Sequence, residues 1–261
     1  MRADVLLTLL GYAESRNRAQ RLIESGCVYA NGKPVKKSGA ELPEDADISV
    51  VSIGETFVSR GAYKLVGALS DFGIDPAGKR CIDIGASTGG FTDCLLKRGA
   101  ASVTAVDCGR GQLAPSIAAD SRVTSLEGCN ARYITAEEVG GNFDLCVMDV
   151  SFISQTYILP ALAPLMNENG LVCALIKPQF ELDAKSVSKG VVKGADKHLR
   201  ALYRIYDSLD ACGLVPVDFT VSPIEGGDGN KEFFGLYAKK GASVKTYDKA
   251  GLRHLAFLNV R

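Results

Sequence analysis

The spacing of apolar positions changes along the chain, and the change divides it in two. Over residues 3 to 11 apolar side chains recur at helical spacing and predict a short helix that Gly11 ends. A second helix, capped by Ser15, runs to Glu24; Ala19, Leu22 and Ile23 share its inner face, Arg18 and Arg21 its outer one, and Gly26 stops it. Two short apolar runs, Cys27 to Ala30 and Lys33 to Val35, flank Asn31-Gly32, a pair that accepts the positive φ angles of a two-residue hairpin. Residues 51 to 58 read as the last strand of this small α+β unit and then a linker.

Beyond Ser59 the pattern becomes alternating. A helix from Ser59 carries Leu65, Ala68, Leu69 and Phe72 on one face and stops at Gly73. Then follow a strand to Asp83, a helix from about Phe91, a strand to Asp107, a helix near Ala114 and a strand over Val123 to Leu126. Thr135 to Glu138 forms a capping box, Phe143 to Met148 a buried strand, Pro160 and Pro164 an irregular helix, and Leu171 to Ile176 a fifth strand. Residues 178 to 195, rich in glycine and lysine, are too long for a mere connection and read as a substrate-facing loop. A helix from Asp196 to about Ala211 precedes two strands, Leu214 to Val221 and Glu232 to Lys239, parted by the loop Ile224 to Asn230. Alternation of this kind predicts a doubly wound α/β domain, a parallel sheet with helices on both faces.

Composition narrows the class. The 261 residues suffice for one ordinary domain and a small one, and 46% hydrophobic content supports a real core. Thirty basic and thirty acidic residues cancel, so affinity for nucleic acid has to come from a local patch. Such a patch is present: the predicted hairpin brings Lys33, Lys36 and Lys37 beside Arg18 and Arg21, whereas Glu41, Glu44, Asp45 and Asp47 follow. Of eight cysteines none is spaced C-x-x-C, and Cys81, Cys146 and Cys173 sit in apolar runs, which favours buried thiols in a reducing cytosol over a disulfide scaffold. Val5 to Leu10 is too short and wrongly flanked for a signal peptide, and no run reaches the ~18 residues of a membrane span. A cytoplasmic, membrane-free protein without a metal site is expected.

The chemistry centres on Cys81-Ile82-Asp83-Ile84-Gly85-Ala86-Ser87-Thr88-Gly89-Gly90-Phe91-Thr92, an apolar strand running through a glycine turn into a helix. This layout lays an adenosine-bearing cofactor over a strand's carboxyl end, and Asp107, about twenty residues past the glycines, stands where a ribose-binding acid belongs. Both NAD and S-adenosylmethionine fit so far. The spacing is not G-x-G-x-x-G, and Asp83 would face a pyrophosphate badly but suits a cationic amino group and sulfonium, so S-adenosylmethionine is favoured. A tight turn without a ligand is the third reading. Asn130, after the third strand, could touch an adenine edge or simply make a turn. At strand carboxyl ends stand Asp149 and Lys177; Lys64 lies on the entering helix and Glu232 opens the last strand. Singly, each could be an ordinary surface ion pair.

Longer segments carry a family resemblance. "SRNRAQRLIESGCVYANGKPVKKSG" resembles the small ribosomal-protein-type RNA-binding module, the S-four-like domain, over roughly residues 3 to 50. "SRGAYKL", "MDVSF", "LIKPQFE" and "GNKEFFGLY" resemble FtsJ-like RNA ribose methyltransferases, and most closely the TlyA family. The resemblance implies a Rossmann-like doubly wound methyltransferase domain over 61–261, its seven-stranded sheet mostly parallel with the last strand antiparallel, joined by a linker (53–60) to an RNA-binding domain over 1–52. It implies a Lys-Asp-Lys-Glu tetrad around the reacting ribose, carried here by Lys64, Asp149, Lys177 and Glu232. It further implies S-adenosylmethionine as cofactor, held by Asp83, Gly85, Ser87, Gly89, Gly90, Phe91, Asp107, Asn130 and Asp149. The substrate implied is the cytidine 2′-hydroxyl of ribosomal RNA, met in a ribosomal subunit or the ribosome. Arg18, Arg21, Lys33, Lys36, Lys37 and Arg60 would face that RNA, and Phe152 would stack on a base turned out of it.

In such a reaction Lys177 is the expected base, because burial and a second cation such as Lys64 favour a neutral amine, although Asp149 and Glu232 oppose this. Lys64 and Asp149 would orient ribose and base, and Glu232 would hold the network. Residues 183 to 195 and the tail after Lys240 depart most from the family. The competing readings are an NAD-dependent oxidoreductase and a non-enzymatic RNA-binding protein with a degenerate Rossmann-like domain. Relatives have also been labelled haemolysins, but the chain offers no membrane-length or amphipathic segment beyond ordinary core helices.

Overall fold

A computed structural model of the chain describes residues 1–13, 15–24, 26, 28–31, 33–50 and 56–258. It comprises two compact units, Met1–Thr56 and Phe57–Arg261. In the first, helices α1 (Ala3–Leu9) and α2 (Arg16–Glu24) accompany a three-stranded antiparallel sheet of β1 (Val28–Ala30), β2 (Lys33–Pro34) and β3 (Ile48–Val50), in the order β2-β1-β3. Ala30 pairs with Lys33, so the turn between them has two residues; Asn31 takes φ 51°, and Gly32 lies outside the described residues. Leu6, Leu7, Ala19, Ile23, Val28 and Ile48 form the core of this unit. Buried Asp4 ties α1 to α2 by accepting from Arg2, Arg16 and Gln20. The third strand, Ile48–Val50, pairs with β1, with Ala30 opposite Ile48; residues 51–55, which hold most of the strand expected at 51 to 58 and part of the linker, lie outside the described residues. Residues 57–60 of the expected linker belong to the second unit, where the Phe57 ring meets Tyr63 edge-on at 5.2 Å and Val58 N donates to Asp93 Oδ2 at 2.8 Å.

The second unit runs α3 (Gly61–Phe72), β4 (Arg80–Ile84), α4 (Gly90–Lys97), β5 (Ser102–Asp107), α5 (Pro115–Ala118), β6 (Val123–Glu127), α6 (Ala136–Val139), β7 (Phe143–Met148), α7 (Leu159–Leu162), β8 (Met166–Ile176), α8 (Pro178–Glu181), α9 (Ala195–Ser208), β9 (Leu214–Val221), β10 (Phe233–Lys239) and α10 (Gly251–Phe257). Its seven strands are ordered β6-β5-β4-β7-β8-β10-β9. The first five are parallel, and β10 inserts antiparallel between β8 and β9. One face buries Ile82, Ile84, Met148, Leu202 and Ile205; the other buries Leu65, Phe91, Leu95, Leu145 and Val147. Burial on both faces is why these strands read as continuous apolar runs.

Several elements differ from expectation. The helix near Ala114 is a single turn begun by Pro115, and the segment with Pro160 and Pro164 divides into one α turn between two 3-10 turns, since each proline removes a donor. The fifth strand starts at Met166, where it pairs with Phe143. Residues 178–195 are not an open loop: after α8 come a 3-10 turn, Ala184–Ser186, and a bridge between Ser188 and Val191. Buried Asn230 fastens that stretch, its Oδ1 accepting from Val192 N at 2.9 Å and its Nδ2 donating to Gly190 O at 2.9 Å. The tail folds back as α10, whose Leu252, Leu255 and Ala256 enter the core, and Lys231 Nζ caps it by donating to the carbonyls of Leu255, Ala256 and Leu258. The seven described cysteines are free thiols, five of them buried; burial pushes Cys81 up to about 12 and Cys173 up as well. Cys27 lies outside the described residues. Among the described residues no helix is long and apolar enough to cross a membrane.

Candidate active site

The site sits where β4, β5, β7 and β8 end. Past Ile84 the chain turns at Gly85, whose φ is 82° and whose position leaves no room for a side chain: a Cβ there would lie 2.4 Å from Asp149 O. At Gly90 a Cβ would lie 2.0 Å from the Ser59 Oγ side-chain atom and 3.3 Å from Ala62 N. Glycine therefore lets the β4–α4 turn pass directly under the neighbouring strand end. Asp107 latches this turn, accepting from Ser87 N at 2.8 Å through Oδ2 and from Gly109 N at 2.7 Å through Oδ1.

Two cavities open here and share Gly85, Ser87, Asp149 and Ser151. The wider, about 530 Å³, has apolar walls of Val106, Ala131, Val150, Ile153 and Ile158, with Asp107, Gln112 and Asn130 supplying polar groups. The narrower, about 290 Å³, is polar, lined by Ser59, Arg60, Lys64 and Lys177 together with the glycine turn and Phe91. At their junction Lys177 Nζ lies 2.5 Å from Asp149 Oδ1 and donates to Ser151 Oγ at 2.9 Å. Lys64, 8% exposed, donates to Glu232 Oε2 at 2.6 Å, and Glu232 is 2% exposed. Glu232 stands one residue ahead of β10 rather than inside it. Thus Lys64, Asp149 and Lys177 line one cavity and Glu232 backs Lys64.

Other predicted residues are distributed unevenly around this centre. Asp83 lines neither cavity: it is fully buried beneath the turn, where Oδ2 accepts from Thr92 Oγ1 at 2.7 Å and Oδ1 has no hydrogen-bond partner among the described residues. Burial chiefly pushes its carboxyl up to about 7; the Thr92 hydroxyl opposes this, while the charges of Asp149 and Asp107 add to it. Gly89, with φ 89°, caps the start of α4, and Phe91 stacks on Phe234 at 6.2 Å while reaching the polar cavity. Asn130 lines the wider cavity, and its Oδ1 accepts from Arg132 N at 3.1 Å in a turn. Phe152 is 90% exposed at φ 65°, its ring 5.2 Å from that of Phe180. Arg60 is exposed and donates to Glu225 O at 3.2 Å. In the first unit Arg21, Lys36 and Lys37 are exposed and Arg18 half-buried; the side chain of Lys33 lies outside the described residues.

Sequence reasoning passed over Ser151, Thr92 and Ser59, all in contact with predicted site residues or the glycine turn. Ser151 and Ser59 fall inside segments that carry the resemblance, and that was their only signal. Among the described residues no group of three or more His, Cys, Asp or Glu could hold a metal ion.

The S4 domain matches residues 1–48 and the FtsJ-like methyltransferase family matches residues 57–239. The chain is 44% identical over 235 residues to the 16S/23S rRNA (cytidine-2′-O)-methyltransferase TlyA of Mycobacterium tuberculosis H37Rv, covering 89% of this chain and 88% of that one. The chain belongs to the TlyA family of FtsJ-like methyltransferases. It is also 41% identical over 239 residues to a Brachyspira hyodysenteriae protein named hemolysin A, covering 91% of this chain and 99% of that one. A solved Streptococcus thermophilus structure, described as a candidate hemolysin, superposes with a TM-score of 0.75 at 35% identity, covering 98% of this chain and 94% of that one. The FtsJ-like match ends at Lys239, the last residue of β10, so α10 lies beyond it.

Proposed function

We propose that this protein is an S-adenosylmethionine-dependent 2′-O-methyltransferase acting on cytidine ribose in ribosomal RNA, in the cytoplasm, with the S4 domain gripping structured RNA of a ribosomal subunit. The observation that carries the reading is the Lys177 amine held between Asp149 and Ser151 where an apolar and a polar cavity meet. The residues present fit the cofactor. The apolar cavity with Asp107 at its rim suits an adenosine, and the polar cavity suits a zwitterionic tail and a ribose beside it. Asp83 Oδ1, without a hydrogen-bond partner among the described residues, lies beneath the turn and favours a cationic ligand above it. When bound, S-adenosylmethionine would supply the methyl group and leave as the neutral thioether.

Lys177 would accept the proton of the 2′-hydroxyl, which turns a very weak acid into a usable nucleophile. Asp149 and Ser151 fix the amine's direction, and the buried Lys64–Glu232 pair holds a second cation against the polar cavity, where it steadies the ribose oxygens. Phe152, too exposed to serve the core, offers a ring to a base turned out of the RNA. The Mycobacterium tuberculosis relative is named for the same reaction on 16S and 23S rRNA, which supports the substrate class. The NAD reading loses its support with the glycine spacing and the amine pair, and binding of the two cofactors measured by calorimetry separates them. The decisive experiment incubates labelled S-adenosylmethionine with small subunits, large subunits and intact ribosomes and maps the modified nucleotide. A Lys177→Ala protein that binds cofactor and RNA normally and still methylates at the wild-type rate ends the assignment of the base.

A further inference from the structure

Two segments leave the sheet side by side, one after β7 and one after β8, and a ladder of contacts joins them. Nearest the strands Lys177 meets Asp149 and Ser151; next, the Phe180 ring meets that of Phe152 at 5.2 Å; last, Glu181 accepts from Ser154 Oγ at 2.5 Å and from Gln155 N at 3.0 Å. Only the last rung is buried: Glu181 is 2% exposed and Gln155 1%, whereas Ser151 and Phe152 face solvent. Gln155 in turn donates to Leu175 O at 3.0 Å and accepts from the Tyr237 hydroxyl at 3.3 Å, which fastens the ladder's foot to β8 and β10.

The upper rungs need that foot. Phe152 holds φ 65°, a conformation strained for a bulky side chain, and it has almost no burial of its own to maintain it. Glu181 is an expensive residue to place there. Its carboxyl makes no direct ion pair among the described residues, and burial pushes it above the usual carboxylate range although both hydrogen bonds and the nearby charge of Arg204 oppose that shift. An apolar side chain would fill the space at less cost but would leave the Gln155 N–H without an acceptor and Ser154 Oγ with only the Thr156 hydroxyl, at 2.8 Å. What the carboxylate adds is direction rather than stability.

We propose that Glu181 is a positioning residue for methyl transfer: it fixes the Ser151–Gln155 segment, so that Phe152 stands out toward the substrate nucleotide and Ser151 stays on the Lys177 amine. The functional half of this inference rests on the ribose methyltransferase reading; the geometric half does not.

The chain contains no tryptophan, so Phe152→Trp introduces a single indole, excited selectively beyond the absorption of the tyrosines, on the segment itself. In that background Glu181→Gln lowers the fluorescence anisotropy of the indole and raises its acrylamide quenching, while the thermal midpoint of the second unit stays within a few degrees. Unchanged anisotropy and quenching overturn the proposal whether or not a substrate has been found. On the RNA identified by mapping, Glu181→Gln lowers kcat on the order of ten- to a hundredfold, the scale of a small misplacement at the reacting centre. The dissociation constant for S-adenosylmethionine changes less than about threefold. With Phe152→Ala already in place the same substitution costs at least about threefold less, as coupled positions require. Equal cost in both backgrounds refutes positioning through Phe152. If the wild-type chain methylates no ribosomal RNA, the function falls, and the anisotropy result still decides the role of Glu181.

Discussion

Replacing Asp83 with asparagine should remove a pH dependence of stability that the wild-type fold carries. The carboxyl is fully buried, one oxygen bonded to Thr92 and the other without a partner among the described residues, and it is pushed up to about 7 from an ordinary 3.8. Between those two values the folded state keeps a proton that the unfolded chain has released. Stability is therefore greatest below about pH 4 and falls as pH rises toward about 7, the reverse of a salt-bridged acid. At 1.36 kcal/mol per pH unit the interval corresponds to a loss on the order of 4 kcal/mol, a large share of the ~5–15 kcal/mol that holds a domain folded. Asparagine cannot ionise, and its side-chain oxygen can still accept from Thr92. Urea unfolding of the second unit, followed without cofactor from pH 4.5 to 8, should show the variant gaining on the wild type through this range and then running parallel to it. A wild-type-minus-variant difference that stays flat across the range would show that water reaches the Asp83 carboxyl and that its burial does not control it.

Three further outcomes follow from the same site. A cation bound above Asp83 lowers its proton affinity, so S-adenosylmethionine binding near pH 6.5 should release a proton, seen as a binding enthalpy that differs between buffers of different ionisation enthalpy and loses that difference in Asp83→Asn. Gly85→Ala places a methyl 2.4 Å from Asp149 O at φ 82°, which should cost ~1–3 kcal/mol in strain alone and abolish cofactor binding in calorimetry. Lys177→Ala should lose about 10²- to 10⁴-fold in methylation rate while its cofactor affinity stays near wild type, measured by incorporation of labelled methyl and by titration.

How much of this was legible in the sequence depends on the range over which each feature is decided. The parallel strands were legible because burial on both faces leaves uninterrupted apolar runs, and the Asn31-Gly32 hairpin because its turn chemistry is local. Lys64, Asp149, Lys177 and Glu232 could be named from short segments, yet their division into two ion pairs could not, since Lys64 and Glu232 stand 168 residues apart in the chain. Residues 178–195 looked like an open loop because what closes them, Asn230, arrives only after α9 and β9. The tail gave no signal for α10 because its apolar face has meaning only against the core it joins.

The two acids Asp83 and Asp149 show where residue type stops and register begins. Both stand at the carboxyl ends of neighbouring strands, and from the sequence either could have faced a cofactor. Parallel pairing sets Asp83 opposite Val147 and Ile84 opposite Met148, which puts Asp149 level with Gly85. The two acids therefore point to the same face of the sheet but two residues apart in depth, roughly 6.6 Å at the ~3.3 Å rise of a parallel strand. That offset leaves Asp83 inside the sheet, against Thr92, and carries Asp149 clear of it, against Lys177. Shifting β7 back by two residues relative to β4 would set Asp149 level with Asp83, inside the sheet, without altering a single side chain.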